Sequence, residues 1–217
     1  MNRAKVMKAM STLRGRRVGW RAEMKSIRRT IRGTVYIPVH DPAHPDIGWG
    51  VLRRQVDDTI NNLPAFVQTK LQPMKRETAS DAWERSCWRD DVLLPPAAND
   101  DLCDVRVLSE RYESSALPET KDLAIVATIR LQGAEPMHAH WERVRSFAHQ
   151  RLAIDRRLAV ILVGHVPAHA GSRAANHIHM VIPARELTAQ GLGAGLGRFA
   201  SDRGLPVFAT EWASWRP

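Results

Sequence analysis

Histidine is the side chain best suited to hold a catalytic divalent metal, and three of them are spaced to converge. His177 and His179 are separated by one residue in the run HIHMVIP over 177–183. That run has strand length and composition, and on a strand residues i and i+2 share a face. The two imidazoles therefore stand side by side while Ile178 turns into a core. His165 ends the apolar run LAVILVG over 158–164, the pattern of a central strand buried on both faces. A polar loop over 165–176 joins the two runs, which are expected to pair as antiparallel neighbours and set His165 across from His177. Three neutral imidazoles with coordination positions left open describe a catalytic metal site rather than a closed structural one. A His-x-His pair alone is a weak signal. Here polar rings sit on a strongly apolar strand, where they need a reason to be, and Ala170, Gly171, Ser172 and Asn176 keep the intervening loop small and polar.

The remaining histidines fit this chemistry less well. His138 and His140 in PMHAHW begin an expected helix, where i and i+2 do not share a face, and read as surface or helix-start residues. His169 becomes the third ligand only if the strand pairing slips, and His149 is expected to be structural or solvated. A metal-activated water would need a carboxylate base, and Glu186 and Asp202 are nearest in sequence. A covalent mechanism would need a hydroxyl nucleophile, and the chain has two tyrosines, Tyr36 and Tyr112.

The elements that must position these groups can be read from periodicity. Helical spacing predicts two basic helices over 2–14 and 20–32, closed by Gly33. A short strand is expected over 34–39, turns over 40–50, and a helix over 51–63 ended by Pro64. Ser80 suits the cap of a further helix with Trp83 and Cys87 facing inward. The turn-rich stretch 93–104 marks a boundary between a basic, mainly helical N-terminal region (1–95) and a C-terminal domain (104–217). Beyond it, Leu123, Ile125, Ala127, Ile129 and Leu131 alternate as one apolar side of a strand over 122–131. The stripe Trp141, Val144, Phe147, Ala148 and Leu152 predicts a helix over 135–157. Strand, helix, strand, loop and strand on one sheet make an α/β or α+β domain.

The stretch VGHVPAHAGSRAANHIHMVIPAR over 163–185 resembles the metal-binding motif of MobA/MobL-type plasmid mobilisation relaxases, which are HUH-class DNA-nicking enzymes. The matching residues are His165, Asn176, His177, His179 and Arg185, with RELTAQGLG continuing the likeness; it covers about residues 120–200. NHIHMVI is also similar to the motif of the tyrosine transposases. The resemblance implies an α+β fold of the HUH or ferredoxin-like palm type, an antiparallel sheet with helices packed on one face, here preceded by a helical basic N-terminal extension. It implies a divalent metal, usually Mg or Mn with Zn as the alternative, held by His165, His177 and His179. It also implies a tyrosine that attacks a phosphodiester of single-stranded DNA at a plasmid transfer origin, alongside other mobilisation proteins. The family carries that tyrosine near its N-terminus in a Tyr- and Arg-containing helix, and no such motif occurs here. No tyrosine follows the histidines either, which departs from the transposase order. Tyr112, in the C-terminal domain that carries the resemblance, is preferred to Tyr36.

Charge agrees with a polyanionic partner. The net charge is +9, and residues 1–33 hold eleven Lys or Arg against Glu23 alone, a sum of +10 that leaves −1 for the rest. Such an arm releases counterions on binding phosphates; a solvated tail or a membrane-surface helix are the alternatives. No apolar run is long enough to span a membrane. Two cysteines in no metal or redox spacing fit a reduced, cytoplasmic protein. Three functions are therefore expected in turn: a metal-dependent relaxase-like nickase, a catalytically degenerate relaxase-like DNA-binding protein, and an unrelated His-metal hydrolase.

Overall fold

The computed structural model describes residues 29–31, 33–74, 81 and 83–216. The helix expected over 2–14 and most of that over 20–32 lie outside these residues. In chain order the elements are β1 (Arg29–Ile31), β2 (Thr34–His40), β3 (Ile47–Arg53), β4 (Gln55–Val56), β5 (Thr59–Ile60), α1 (Leu63–Leu71), β6 (Arg89–Leu93), α2 (Val105–Ser114), β7 (Asp122–Arg130), α3 (Met137–Phe147), β8 (Val160–His165), β9 (His177–Pro183), β10 (Arg185–Thr188), β11 (Gly191–Gly195) and α4 (Gly204–Ser214). A π-helical segment, Ala148–Ile154, prolongs α3, so the single helix expected over 135–157 has a change of pitch within it.

Seven strands form one sheet in the order β1-β2-β3-β7-β9-β8-β6, and every pair is antiparallel. The α+β class and the antiparallel β8–β9 pairing are as expected. One sheet runs across the turn-rich stretch 93–104. β1, β2, β3 and β6 come from before it, β7, β8 and β9 from after it, and they share one ladder. Among the described residues of 29–93 there are six strands and one helix.

The misreading has identifiable local causes. Val51 and Leu52 continue β3, where Val51 pairs with both Ile37 and Ile125. Pro64 opens a helix instead of ending one: it occupies the first turn of α1, and the Asn62 side chain accepts from the Ala65 N–H as its cap. Likewise Thr30 and Ile31 belong to a hairpin, because Gly33 at φ 80° allows the turn that returns the chain to β2. The helix expected after Ser80 falls partly outside the described residues, and 83–88 are irregular.

Helices cover both faces of the sheet, not one. On the first face Ile125, Ala127, Ile129, Leu162, Ile178 and Met180 meet Trp141, Phe147 and Phe208 of α3 and α4. On the second, Val126, Ile161, Val163 and Val181 meet Phe66, Val67, Leu108 and Tyr112 of α1 and α2. Apolar residues on both sides of β7 are the reason, since an exposed second face of Ala124 and Val126 would waste their burial. By strand alternation His177 and His179 lie on the α1–α2 face with Val181.

Tyr36 shares that face, and Gly50 positions its ring. A Cβ at Gly50 would lie 2.6 Å from Tyr36 Cε2 and 3.0 Å from the Ile37 carbonyl oxygen. The ring therefore leans across β3, in edge contact with Phe66 at a centroid distance of 5.6 Å. Gly50→Ala is expected to lower unfolding free energy by about 1–3 kcal/mol through overpacking. Urea denaturation measures it. Pairing Gly50→Ala with Tyr36→Ala should recover part of the loss, whereas strict additivity would show that the ring is not the obstacle.

Candidate metal centre

The register of three strands assembles the histidines. His165 pairs with His177 across β8–β9, and His179 pairs with Thr128 across β7–β9. The ring centroids of His165 stand 5.1 Å from His177 and 4.8 Å from His179, and those of His177 and His179 are 4.8 Å apart. One ligand nitrogen from each ring falls within 4.8 Å of the others. All three sequence-predicted ligands therefore meet. Among the described residues no other group of three His, Cys, Asp or Glu is close enough to hold an ion.

Each imidazole has its other nitrogen committed to the protein. His165 Nε2 lies 2.7 Å from the Lys70 carbonyl oxygen in the last turn of α1. His177 Nδ1 lies 2.9 Å from the Ala175 carbonyl oxygen, and His179 Nδ1 is 2.8 Å from Thr128 Oγ1. A carbonyl only accepts, so His165 carries its proton on Nε2 and His177 on Nδ1. When both rings are neutral, the lone pairs of His165 Nδ1 and His177 Nε2 face each other at 3.3 Å. Two facing lone pairs repel unless a cation lies between them. Nitrogens bound to one divalent ion at about 2.1 Å stand roughly 3–3.5 Å apart, which is the spacing found. The donor set thus fits a metal, with each ring oriented by an outer hydrogen bond.

Thr128 and the two carbonyls went unnoticed in the sequence. Thr128 carried a faint signal, as the polar residue interrupting β7 where His179 has its cross-strand partner. The carbonyls carried none, because any residue type supplies one.

Burial holds His165 neutral. It is nearly enclosed at 8% exposure, and desolvation first, then the positive neighbourhood of His177 and Lys70, pushes its pKa down from 6.5 to about 4, against the opposing bond to Lys70.

The other candidates separate from the centre. Tyr112 is fully buried, and burial raises its phenol to about 12, the wrong direction for a nucleophile. Its neighbours are Ala184, Arg185, Arg54 and Glu113. Ala184 lies five residues beyond His179, about 17 Å along an extended strand, which places Tyr112 toward the far end of the sheet from the histidines. Tyr36, 5% exposed, is also buried. Its backbone stands opposite Leu52, in register with Pro183 four residues beyond His179, but the Lys70 ammonium lies 5.2 Å from its ring centroid while the carbonyl of the same residue meets His165. Glu186 pairs with Arg157 at 2.7 Å on β10, and Asp202 acts electrostatically on Asp122 at the start of β7; both stand at the end of the sheet away from the histidines. His138, His149 and His169 are exposed, whereas His140, expected near the surface, is buried with its Nδ1 3.3 Å from Glu135 and 3.0 Å from Arg143.

Comparison with known proteins gives one informative likeness. A solved structure described as the molecular basis of vancomycin resistance transfer in Staphylococcus aureus superposes with a TM-score of 0.55 at 15% identity, over 70% of this chain and 81% of that one. The likeness is one of fold. No family model and no curated protein matches the sequence. Among the described residues no helix is long and apolar enough to cross a membrane.

Two outcomes follow from this geometry. Thr128→Val removes the partner of His179 Nδ1 and should weaken Mn binding by about 10–100-fold by calorimetry, with the fold retained; unchanged affinity would mean that the hydroxyl does not orient the ring. In metal-free protein, the depressed pKa of His165 means that the unfolded chain takes up a proton the native state refuses. Stability is then intact above pH 6.5 and declines as pH falls toward about 4, by at most about 3 kcal/mol from this residue. Urea midpoints at pH 7 and pH 4.5 should fall further for the wild type than for His165→Asn.

Proposed function

We propose that this protein is a relaxase-like DNA strand protein of plasmid mobilisation, whose histidine centre holds a divalent cation, Mg or Mn before Zn, and engages a phosphodiester of single-stranded DNA. The convergence of three imidazoles, each oriented by an outer hydrogen bond, carries this reading. Their outer partners include a hydroxyl and two carbonyls, which leave the charge of a bound dication in place, so it would seek an anion. Such an ion would polarise the phosphate and withdraw charge from its oxygens. The likeness in fold to a protein of resistance transfer supports the same substrate class, as does the basic arm.

Nicking is the finer part of the proposal, and it falls to Tyr36. Its phenol oxygen would form a bond to phosphorus as the P–O3′ bond breaks. The phenolic proton leaves and the 3′ oxygen departs as a hydroxyl. The 5′ phosphate stays on the tyrosine, which conserves the bond for rejoining. Lys70, over the ring, places positive charge where negative charge would develop. The burial of both tyrosines favours a second reading, strand binding without cleavage.

A labelled single-stranded oligonucleotide with Mn distinguishes these. Metal-dependent binding is expected for the wild type and lost in His177→Ala. A covalent adduct on denaturing gels, kept by Tyr112→Phe and lost by Tyr36→Phe, identifies the nucleophile. Metal-dependent binding without adduct or cleavage identifies the binding protein, and cleavage that survives loss of both tyrosines identifies a hydrolase. Binding indifferent to metal would overturn the proposal.

A further inference from the structure

Most arginines packed around the sheet are committed to partners. Arg54 pairs with Glu113, Arg145 with Asp91 and Arg156 with Glu211; Arg185 donates to the carbonyls of Gly193, Ser115 and Leu192. Arg130 is different. Among the described residues its guanidinium meets no carboxylate, and Nη1 donates to the Pro45 carbonyl at 3.2 Å. Its backbone is held firmly: it pairs with His177 across β7–β9, and its N–H donates to the Asp46 carbonyl at 2.8 Å. By alternation from Thr128 it lies on the histidine face. The missing side chain of Gly48 leaves its guanidinium lying across β3, since a Cβ there would stand 3.5 Å from Nη2. Arg130 remains half-exposed.

We propose that Arg130 binds the backbone phosphate next to the one engaged by the histidines; this rests on the function proposed above. The spacing argues for a neighbouring phosphate rather than the same one. Two strand intervals separate β9 from the guanidinium over β3, about 10 Å. Pro45 anchors one edge of the guanidinium and leaves other donors free to form a fork on phosphate oxygens. The residue thereby fixes the direction in which a strand leaves the centre, across β7 and β3, on the side where Tyr36 leans.

The test uses the full chain, Mn and a labelled single-stranded oligonucleotide, with affinity measured by anisotropy over a range of salt. Arg130→Gln is expected to weaken strand binding by about tenfold and to reduce the slope of log affinity against log salt by about 0.7. Mn affinity without DNA should not change. Arg130→Lys should keep the slope and recover part of the affinity, because a point charge remains but the fork does not. Wild-type strand affinity and slope in Arg130→Gln would overturn the inference and leave the proposed function standing. Loss of Mn binding in that variant would also overturn it, by showing that Arg130 supports the centre itself. A wild-type protein without metal-dependent strand binding would remove both.

Discussion

Everything at this centre depends on the pairing of β9 with its two neighbours. His165 opposite His177 and Thr128 opposite His179 are register positions of one ladder, and a slip of one residue would turn His177 and His179 to the opposite face. The apolar layers prevent that slip. Ile178, Met180 and Ile182 fill the face under α3 and α4 while Val181 fills the other. A shift would exchange these with the imidazoles and bury unpaired ring nitrogens. The core that stabilises the domain is thus also what aligns the ligands, and α1 completes the arrangement by delivering the Lys70 carbonyl to His165.

The same constraint explains what the sequence revealed and what it withheld. The histidine cluster was legible because its geometry is local: a period-2 pattern, a direct loop and a polar interruption of an apolar run suffice to place three rings. The strands of the first half were harder to read, because β3 acquires its meaning only from β2 and β7. Val51 and Leu52 satisfy a helical period as well as a strand period, and only long-range pairing decides between them. Pro64 is ambiguous in sequence, since proline marks a helix's first turn as readily as its stop, and here it stands in the first turn of α1. Tyr112 draws attention because it belongs to the C-terminal part that carries the resemblance to relaxases. Its place at the far end of β9 follows from packing that sequence spacing does not encode.

The chemical character of the centre follows from what surrounds the imidazoles. Metal sites built with carboxylates partly neutralise their ion before substrate arrives. Here the imidazoles are oriented by a hydroxyl and two carbonyls, and Lys70 nearby adds positive charge to the surroundings of His165. Under the proposed function, such a site would hold its cation less tightly alone than with an anionic strand, because phosphate oxygens supply both the missing ligands and the missing negative charge. Binding of metal and binding of strand would then reinforce each other by the same factor in either order, as linkage requires. The selectivity of the centre would reside in that mutual dependence more than in affinity for either component, and the depressed basicity of His165 serves it by keeping the site free of a competing proton near neutral pH.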